Sequence, residues 1–256
     1  MEKKYELTEE TLAVDGHVLH RIKALRDFGN VKKGDIGGWI EGQENLSHDD
    51  DCWAYGNAEV YGNAKVYGNA EVYGNAEVYG NAKVYGNAIV LGYAKVYGYA
   101  IVYGDAEVYG YAIVYGDAEV YGDAEVYGYA EVYGNAIVYG YAKVYGDAEV
   151  YGNAEVYGNA KVYGNAIVLG DAIVLGDAIV LGDAIVEKKS DYIVFKNWWS
   201  SGRYFTWTRS NDMWSVGCFY GTGEELIKKA YNDSDESGRE YERIVKYVES
   251  IKSEIK

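Results

Sequence analysis

The stretch from Tyr55 to Val186 repeats one six-residue phrase 22 times without an insertion, and this regularity constrains the fold more than any other feature. The phrase begins with Tyr or Leu, then Gly, then Asn, Asp or Tyr, and ends with Ala, then Glu, Lys or Ile, then Val. A fixed short period is the signature of an architecture in which each structural unit stacks on the next. The repeat therefore predicts a solenoid.

Each phrase has the pattern of a short strand followed by a corner. Successive side chains of a strand point to opposite faces, so Ala and Val point to one side while Tyr and the Glu, Lys or Ile point to the other. Gly adopts positive φ freely, and Asn or Asp tolerates that region better than most residues, so the pair suits a sharp bend. A helix is excluded, because the apolar residues make no stripe with a period of 3.6.

Strands this short can bury Ala and Val only by stacking, and six-residue units commonly stack as three strands per turn of a parallel β-helix. At ~4.8 Å per turn, the 22 units predict about seven turns and a rod ~35 Å long. The period leaves the hand of the coil open.

The phrase YGNAEV resembles the hexapeptide repeat of left-handed parallel β-helix proteins, with Val at the large inward position and Ala at the small one. The resemblance covers residues 55–186 and implies a left-handed triangular prism, although Gly stands one place later than in the commonest pattern of that family. Upstream, DFGNVKKGDIGGWIE and CWAYGNA are similar to the start of a group of bacterial and prophage hexapeptide-repeat proteins, some of which carry a transferase label.

The chain divides into three segments, and we expect a mainly β protein. Residues 1–54 contain a hairpin pattern with Asp15 and Gly16 as its turn, followed by a segment that we expect to cap the first turn of the β-helix. Residues 55–186 are the repeat. Residues 187–256 alternate like the strands of a small antiparallel sheet and then show two helical patterns.

The two C-terminal helices are predicted from capping boxes, in which a Ser or Thr precedes a Glu by three residues. Thr222 with Glu225 marks the first helix, and Ser237 with Glu240 marks the second. The stretch VGCFYGTGEEL resembles a C-terminal module found on several phage-type repeat proteins.

Charge and composition bear on the partners. The net charge is −16, and the repeat carries most of it, with 16 acidic and 5 basic residues. Such a surface disfavours direct binding to nucleic acid or to a membrane, whose phosphates attract Lys and Arg. No apolar run approaches the ~18 residues of a membrane span, and MEKKYELTEE lacks a secretory signal, so we expect a location in the cytoplasm or a phage particle.

The repeat offers little for catalysis. Acyltransferases built on hexapeptide β-helices use a catalytic His on the coil, but His17, His20 and His48 all precede the repeat. Cys52 and Cys218 match no metal or redox spacing. We therefore disfavour the acyltransferase interpretation and expect no cofactor, no metal and no catalytic residue.

The outward positions are the candidate interface. Folding at 18 residues per turn stacks the Tyr side chains into ladders on all three faces, which either stabilise the sheets or bind a partner. Tyr93, Tyr111 and Tyr129 replace Asn at one corner and should form a contact strip, which we call the corner strip.

The last four units place an apolar set on every face, which we call the collar. We expect the C-terminal segment or a neighbouring subunit to cover it, because exposed apolar bands promote aggregation. The collar consists of Ile167, Leu169, Ile173, Leu175, Ile179, Leu181 and Ile185.

The C-terminal segment combines aromatic residues with arginines, a set that can stack on sugars or bases but that a small domain also needs for its core. The candidate ligand site is Trp198, Trp199, Arg203, Tyr204, Trp207 and Arg209.

These observations favour a non-enzymatic structural or interaction protein, a rigid rod that presents Tyr and acidic ladders to a protein partner or to copies of itself. One alternative is an acidic decoy that mimics DNA, because the repeat has roughly half the line charge of B-DNA. Another is binding of a small nucleotide or sugar by the C-terminal segment.

Overall fold

The structure is a computed structural model that describes residues 3–254. A parallel β-solenoid of about eight turns occupies most of this range, and three short strands in each turn stack into three sheets. A small antiparallel sheet and two helices follow the solenoid. The mainly β fold and the parallel stacking predicted from the six-residue period are therefore confirmed.

The solenoid strands belong to sheets of eleven, eight and seven strands, and the first two strands of the eleven-stranded sheet run antiparallel to their neighbours. The eleven-stranded sheet contains Tyr5–Val14, His17–Ala24, Ile36–Ile40, Glu59–Val60, Glu77–Val78, Lys95–Val96, Ile113–Val114, Glu131–Val132, Glu149–Val150, Ile167–Val168 and Ile185–Val186. The eight-stranded sheet contains Trp53–Ala54, Glu71–Val72, Ile89–Val90, Glu107–Gly110, Glu125–Gly128, Lys143–Gly146, Lys161–Gly164 and Ile179–Val180. The seven-stranded sheet contains Lys65–Val66, Lys83–Val84, Ile101–Gly104, Glu119–Gly122, Ile137–Gly140, Glu155–Gly158 and Ile173–Val174.

The core of the solenoid is built from the two inward positions of the phrase. The Ala and the Val of every unit are buried and form one continuous cluster along the rod. Backbone hydrogen bonds join each turn to the next, as from the Lys161 amide to the Ala178 carbonyl at 2.9 Å. At the corners Gly is required for two reasons, the positive φ and the close approach of the next turn. Gly128 has φ of +77°, and a Cβ atom there would lie 2.9 Å from the Gly146 nitrogen of the next turn.

The structure has about one turn more than the repeat alone predicts, because residues before Tyr55 form an additional turn. Ile36–Ile40, Leu46 and Trp53–Ala54 each pair in parallel with the first full turn of the repeat. Ile40 and Leu46 keep the six-residue spacing, but the connection from Leu46 to Ala54 is two residues longer than in the repeat, so the period breaks before the turn is complete.

The N-terminal hairpin lies beside this first turn. Tyr5–Val14 pairs with His17–Ala24 in antiparallel register, and the turn residues Asp15 and Gly16 both have positive φ, of 47° and 87°. These dihedral angles fit a tight two-residue turn, as the Asp-Gly pair predicts.

The C-terminal module, residues 187–254, packs a four-stranded antiparallel sheet against two helices. Helix α1 spans Gly223–Asp233 and begins with the predicted capping box, in which Thr222 Oγ1 accepts a hydrogen bond from the Glu225 amide at 3.3 Å. Helix α2 spans Asp235–Ile251. The strands of the module are Tyr192–Lys196, Tyr204–Thr208, Met213–Val216 and Phe219–Gly221.

The second predicted capping box is wrong. Helix α2 begins three residues earlier, with Ser234 as its N-cap. Ser237 lies in the first turn, and its amide donates a hydrogen bond to Ser234 Oγ at 3.1 Å. Sequence spacing alone did not separate these two serines, because both precede the same apolar face of the helix.

Candidate functional site

The tyrosines on the flat faces form the predicted ladders. Successive rings lie 4.3 to 5.1 Å apart and within 15° of parallel. On the seven- and eleven-stranded sheets the ladders run through six rings each. Leu91 interrupts the ladder of the eight-stranded sheet, which continues from Tyr109 to Tyr163. All three faces of the rod are therefore aromatic.

The ladders are tied to the acidic residues of the neighbouring turn. The Tyr109 hydroxyl donates to Glu125 Oε2 at 3.1 Å, and the Tyr133 hydroxyl donates to Glu149 Oε2 at 2.9 Å. Partial burial raises the pKa of Tyr103 to about 12, and the negative charge of Glu119 adds to this shift. The phenols on these faces therefore stay protonated well above neutral pH and act as hydrogen-bond donors.

On the faces, some charged residues lie next to an opposite charge on the neighbouring turn and others lie next to a like charge. Lys95 Nζ forms an ion pair with Glu77 Oε1 at 2.9 Å. Elsewhere like charges occupy successive turns, as in the register pair Lys143 and Lys161. Like charges directly opposite on neighbouring strands are destabilising, so these positions are not optimised for the stability of an isolated rod.

The corner strip is exposed and ordered. Tyr93, Tyr111 and Tyr129 are 53%, 49% and 63% exposed, and their rings stack at 5.0 Å. Sequence reasoning did not single out Tyr99 and Tyr141, which occupy the third position of their units at the other two corners and are also more than 60% exposed. The same substitution of Asn by Tyr would have identified them.

At the C-terminal end of the solenoid, hydroxyl groups replace the carbonyls that a further turn would supply. The Ile179 amide donates to Thr206 Oγ1 at 2.9 Å, and the Ile185 amide donates to Ser210 Oγ at 2.7 Å. The Tyr192 hydroxyl accepts from the Leu175 amide at 3.3 Å and donates to the Ile173 carbonyl at 3.0 Å. The module thus closes the open edges of all three sheets.

The collar lies beside this closed end. The module contacts the backbone of its last turn, but the flanks of the collar stay partly open, and Leu175 and Ile185 are 40% and 41% exposed. The remaining five members are half-buried. The module therefore caps the end of the rod without wrapping its sides.

At the N-terminal end, side-chain donors cover the carbonyls of the first turns. Lys4 is fully buried, and its Nζ donates to the carbonyls of Asp50 and Cys52 at 2.7 and 2.8 Å. Burial lowers the pKa of Lys4. Asn45 Nδ2 donates to the Gly62 and Ala64 carbonyls at 3.0 and 2.9 Å. Both ends of the solenoid are therefore closed by specific hydrogen bonds.

The three histidines contact other residues of the N-terminal segment. His17 Nδ1 donates to Glu41 Oε1 at 2.9 Å, and His20 Nδ1 lies 3.1 Å from the Thr8 carbonyl. His48 stacks on Tyr5 with ring centroids 4.2 Å apart. Within residues 3–254, no three His, Cys, Asp or Glu side chains are grouped so that they could hold a metal ion.

The structure separates the candidate ligand residues. Trp207 is buried in the core, and its indole N–H donates to Asp212 at 2.8 Å, so it cannot contact a ligand. Arg209 pairs with Asp191 beside the solenoid, and Tyr204 contacts Lys196.

The two adjacent tryptophans also differ in their surroundings. Trp199 packs against the core of the module, whereas Trp198 is 72% exposed. A cavity of about 310 Å³ in the module is lined by Arg203, Cys218, Lys229 and Tyr241, among others. Arg203 is the member of the candidate set that lines this cavity.

None of the helices formed by the described residues is long and apolar enough to span a membrane.

Comparison with known proteins agrees with the architecture. A family model described as YdcK Beta solenoid repeat matches residues 160–176, which lie in the seventh and eighth turns of the rod. A search of curated proteins finds no match. On the evidence of its coordinates and of this short match, the chain is a β-solenoid repeat protein.

Proposed function

We propose that this chain is a non-enzymatic scaffold, a rigid rod whose lateral faces bind protein. The observation that carries the proposal is the closure of both ends. Side-chain donors cover the first turn, side-chain hydroxyls cover the last turn, and the surfaces left for association are the three flat faces and their corners.

The chemistry of these faces supports protein contact. Stacked tyrosines supply large, rigid area with a hydrogen-bonding tip, and Tyr is enriched where protein surfaces meet. The corner strip adds three exposed rings that do nothing to fill the solenoid core. A left-handed coil and a relationship to phage proteins, both implied by the resemblance to hexapeptide-repeat proteins, belong to this proposal.

The test is native mass spectrometry of the chain isolated from its own host. We expect the wild-type chain to retain at least one further protein subunit. The triple variant Tyr93→Asn, Tyr111→Asn and Tyr129→Asn should lose that subunit and keep its melting temperature, because Asn is the commonest residue at the corners of the repeat.

A matched control is Tyr99→Asn, which removes an equally exposed ring from a different corner and should leave the complex intact. Recovery of the wild-type chain as a bare monomer would contradict the proposed function.

A further inference from the structure

We propose that the outer face of the eight-stranded sheet binds the same face of a second copy, with the two rods antiparallel. This inference rests on the proposed scaffold function and names the partner of one face. Three features of that face support it: the regular stacking of its tyrosines, the order of its side chains and the residues at its two corners.

The tyrosines of this face stack regularly. Tyr109, Tyr127, Tyr145 and Tyr163 stack at 4.7, 4.7 and 4.6 Å with interplanar angles of 1°, 1° and 6°. Four rings at this constant spacing present a regular aromatic row, which the same row of a second copy can contact along its length.

The order of the side chains is self-complementary. A two-fold axis perpendicular to the rods, placed between Glu125 and Lys143, sets each outward ladder against the same ladder of the second copy in reverse order. Over its last six turns the first ladder reads Ile89, Glu107, Glu125, Lys143, Lys161, Ile179. The second ladder reads Leu91, Tyr109, Tyr127, Tyr145, Tyr163, Leu181.

Under this axis each of the four charges between Ile89 and Ile179 meets an opposite charge, and Glu71, one turn before Ile89, lies outside the matched stretch. Glu125 faces Lys143 of the second copy, Glu107 faces Lys161, and Ile89 faces Ile179. In the second ladder Tyr faces Tyr. Leu91, the one Leu at this position before the collar, faces Leu181. Within one chain Glu125 and Lys143 already form an ion pair, so two such pairs would join into a ring of four alternating charges at the axis.

The corners of this face match in the same way. Tyr129, on one corner, comes opposite Asp147 of the second copy. Tyr141, on the other corner, comes opposite Asp123. A phenol hydroxyl can donate to a carboxylate in each case, and such bonds to a charged acceptor are the stronger kind. The arrangement gives a reason for two exposed Tyr rings that the fold itself does not use.

The other two faces lack this property. On the eleven-stranded sheet the solenoid units present one lysine, Lys95, and four glutamates, so a second copy would leave at least three glutamates unmatched, whereas the eight-stranded sheet leaves one, Glu71. On the seven-stranded sheet no single two-fold axis pairs both Lys65 and Lys83 with both Glu119 and Glu155.

The size of the face is sufficient. Six turns at ~4.8 Å and about five residues at ~3.3 Å give roughly 29 by 17 Å, or about 1,000 Å² for the two faces before the corners are counted. A specific interface is expected from about this area upward.

The test is sedimentation velocity of the full chain with two charge reversals. We expect wild type to form a dimer of twice the 28.4 kDa chain mass. Lys161→Glu places a new carboxylate opposite Glu107 of the second copy, and the two-fold axis makes this contact occur twice in the dimer. The dissociation constant of the dimer should rise by about 10- to 100-fold. Glu107→Lys should do the same. Within the chain each new charge lies next to an opposite charge, Lys143 in the first variant and Glu125 in the second. Neither substitution should therefore lower the stability of the folded monomer.

An equimolar mixture of the two single variants should restore the dimer, because each copy then supplies the charge that the other lacks. Lys83→Glu is the matched control, since it too reverses one of two successive lysines, but on the seven-stranded sheet, and it should leave the dimer unchanged.

A wild-type chain that is monomeric at every concentration would overturn the proposal, as would a dimer that is indifferent to both reversals or a mixture that fails to reassociate. Each of these results would leave the scaffold function to be judged by the complex recovered from the host.

Discussion

Thr206 provides a direct test of how the module closes the solenoid. Its side chain is fully buried, and Oγ1 accepts the Ile179 amide at 2.9 Å, in the role that the Ala178 carbonyl plays for the Lys161 amide one turn earlier. The substitution Thr206→Val keeps the shape of the side chain and removes the acceptor. The amide is then left without a partner beside a methyl group that excludes water.

An amide deprived of its partner in this way costs about 1 to 3 kcal/mol. If the last strand opens locally before exchange, this loss corresponds to a roughly 5- to 150-fold faster exchange of the Ile179 amide proton. Hydrogen exchange followed by mass spectrometry or NMR measures this rate. Thr206→Ser keeps the hydroxyl and should preserve most of the protection.

The reasoning would be refuted if the Ile179 amide exchanged at the wild-type rate in the Val variant. It would also be refuted if the Ser and Val variants lost protection equally, because the effect would then come from the lost packing and not from the hydrogen bond.

Three further predictions concern the rod. Gly128→Ala should lower the free energy of unfolding by more than Gly176→Ala. Both positions have φ near +70°, but only at Gly128 would a Cβ meet the next turn, at 2.9 Å. Denaturant titration of both variants measures the difference in the free energy of unfolding. Deleting residues 190–256 should cause aggregation by exposing the edges of three sheets, and a monodisperse truncated chain in light scattering would argue against the capping role. Stability should be lost as the pH rises from about 10 to 12, because the pKa of Tyr103 is raised to about 12 in the folded chain while an unfolded Tyr ionises near 10. Denaturant titration across this range measures the loss, and a free energy of unfolding that stays constant from pH 10 to 12 would contradict this.

The solenoid could be predicted from sequence because its determinants are local. Each Ala and Val lies in a phrase that specifies which side faces inward, and each Gly marks a corner within the same six residues. The Tyr ladders follow from the same period, because three six-residue units make a turn and so place every eighteenth residue one above another. The turn before Tyr55 was expected only as a cap and was not counted in the length of the rod, because the spacing between Leu46 and Ala54 is two residues longer than the repeat allows.

The closure of the ends could not be predicted because its partners are distant in sequence. Thr206 meets the Ile179 amide, and Ser210 meets the Ile185 amide, only after the module has docked. No periodicity marks these hydroxyls among the other polar residues of the module. The role of Trp207 was ambiguous for a related reason, since an aromatic side chain in a small domain serves equally well for a core or for a ligand until its burial is known.

The central claim is that the lateral faces, and not any single turn, carry the function. The most direct test is native mass spectrometry of the host assembly after deletion of residues 73–90, which removes one 18-residue turn and leaves the period intact. We predict the same subunit composition, with a rod shorter by ~4.8 Å. Loss of every bound subunit from a folded deletion variant would contradict the account.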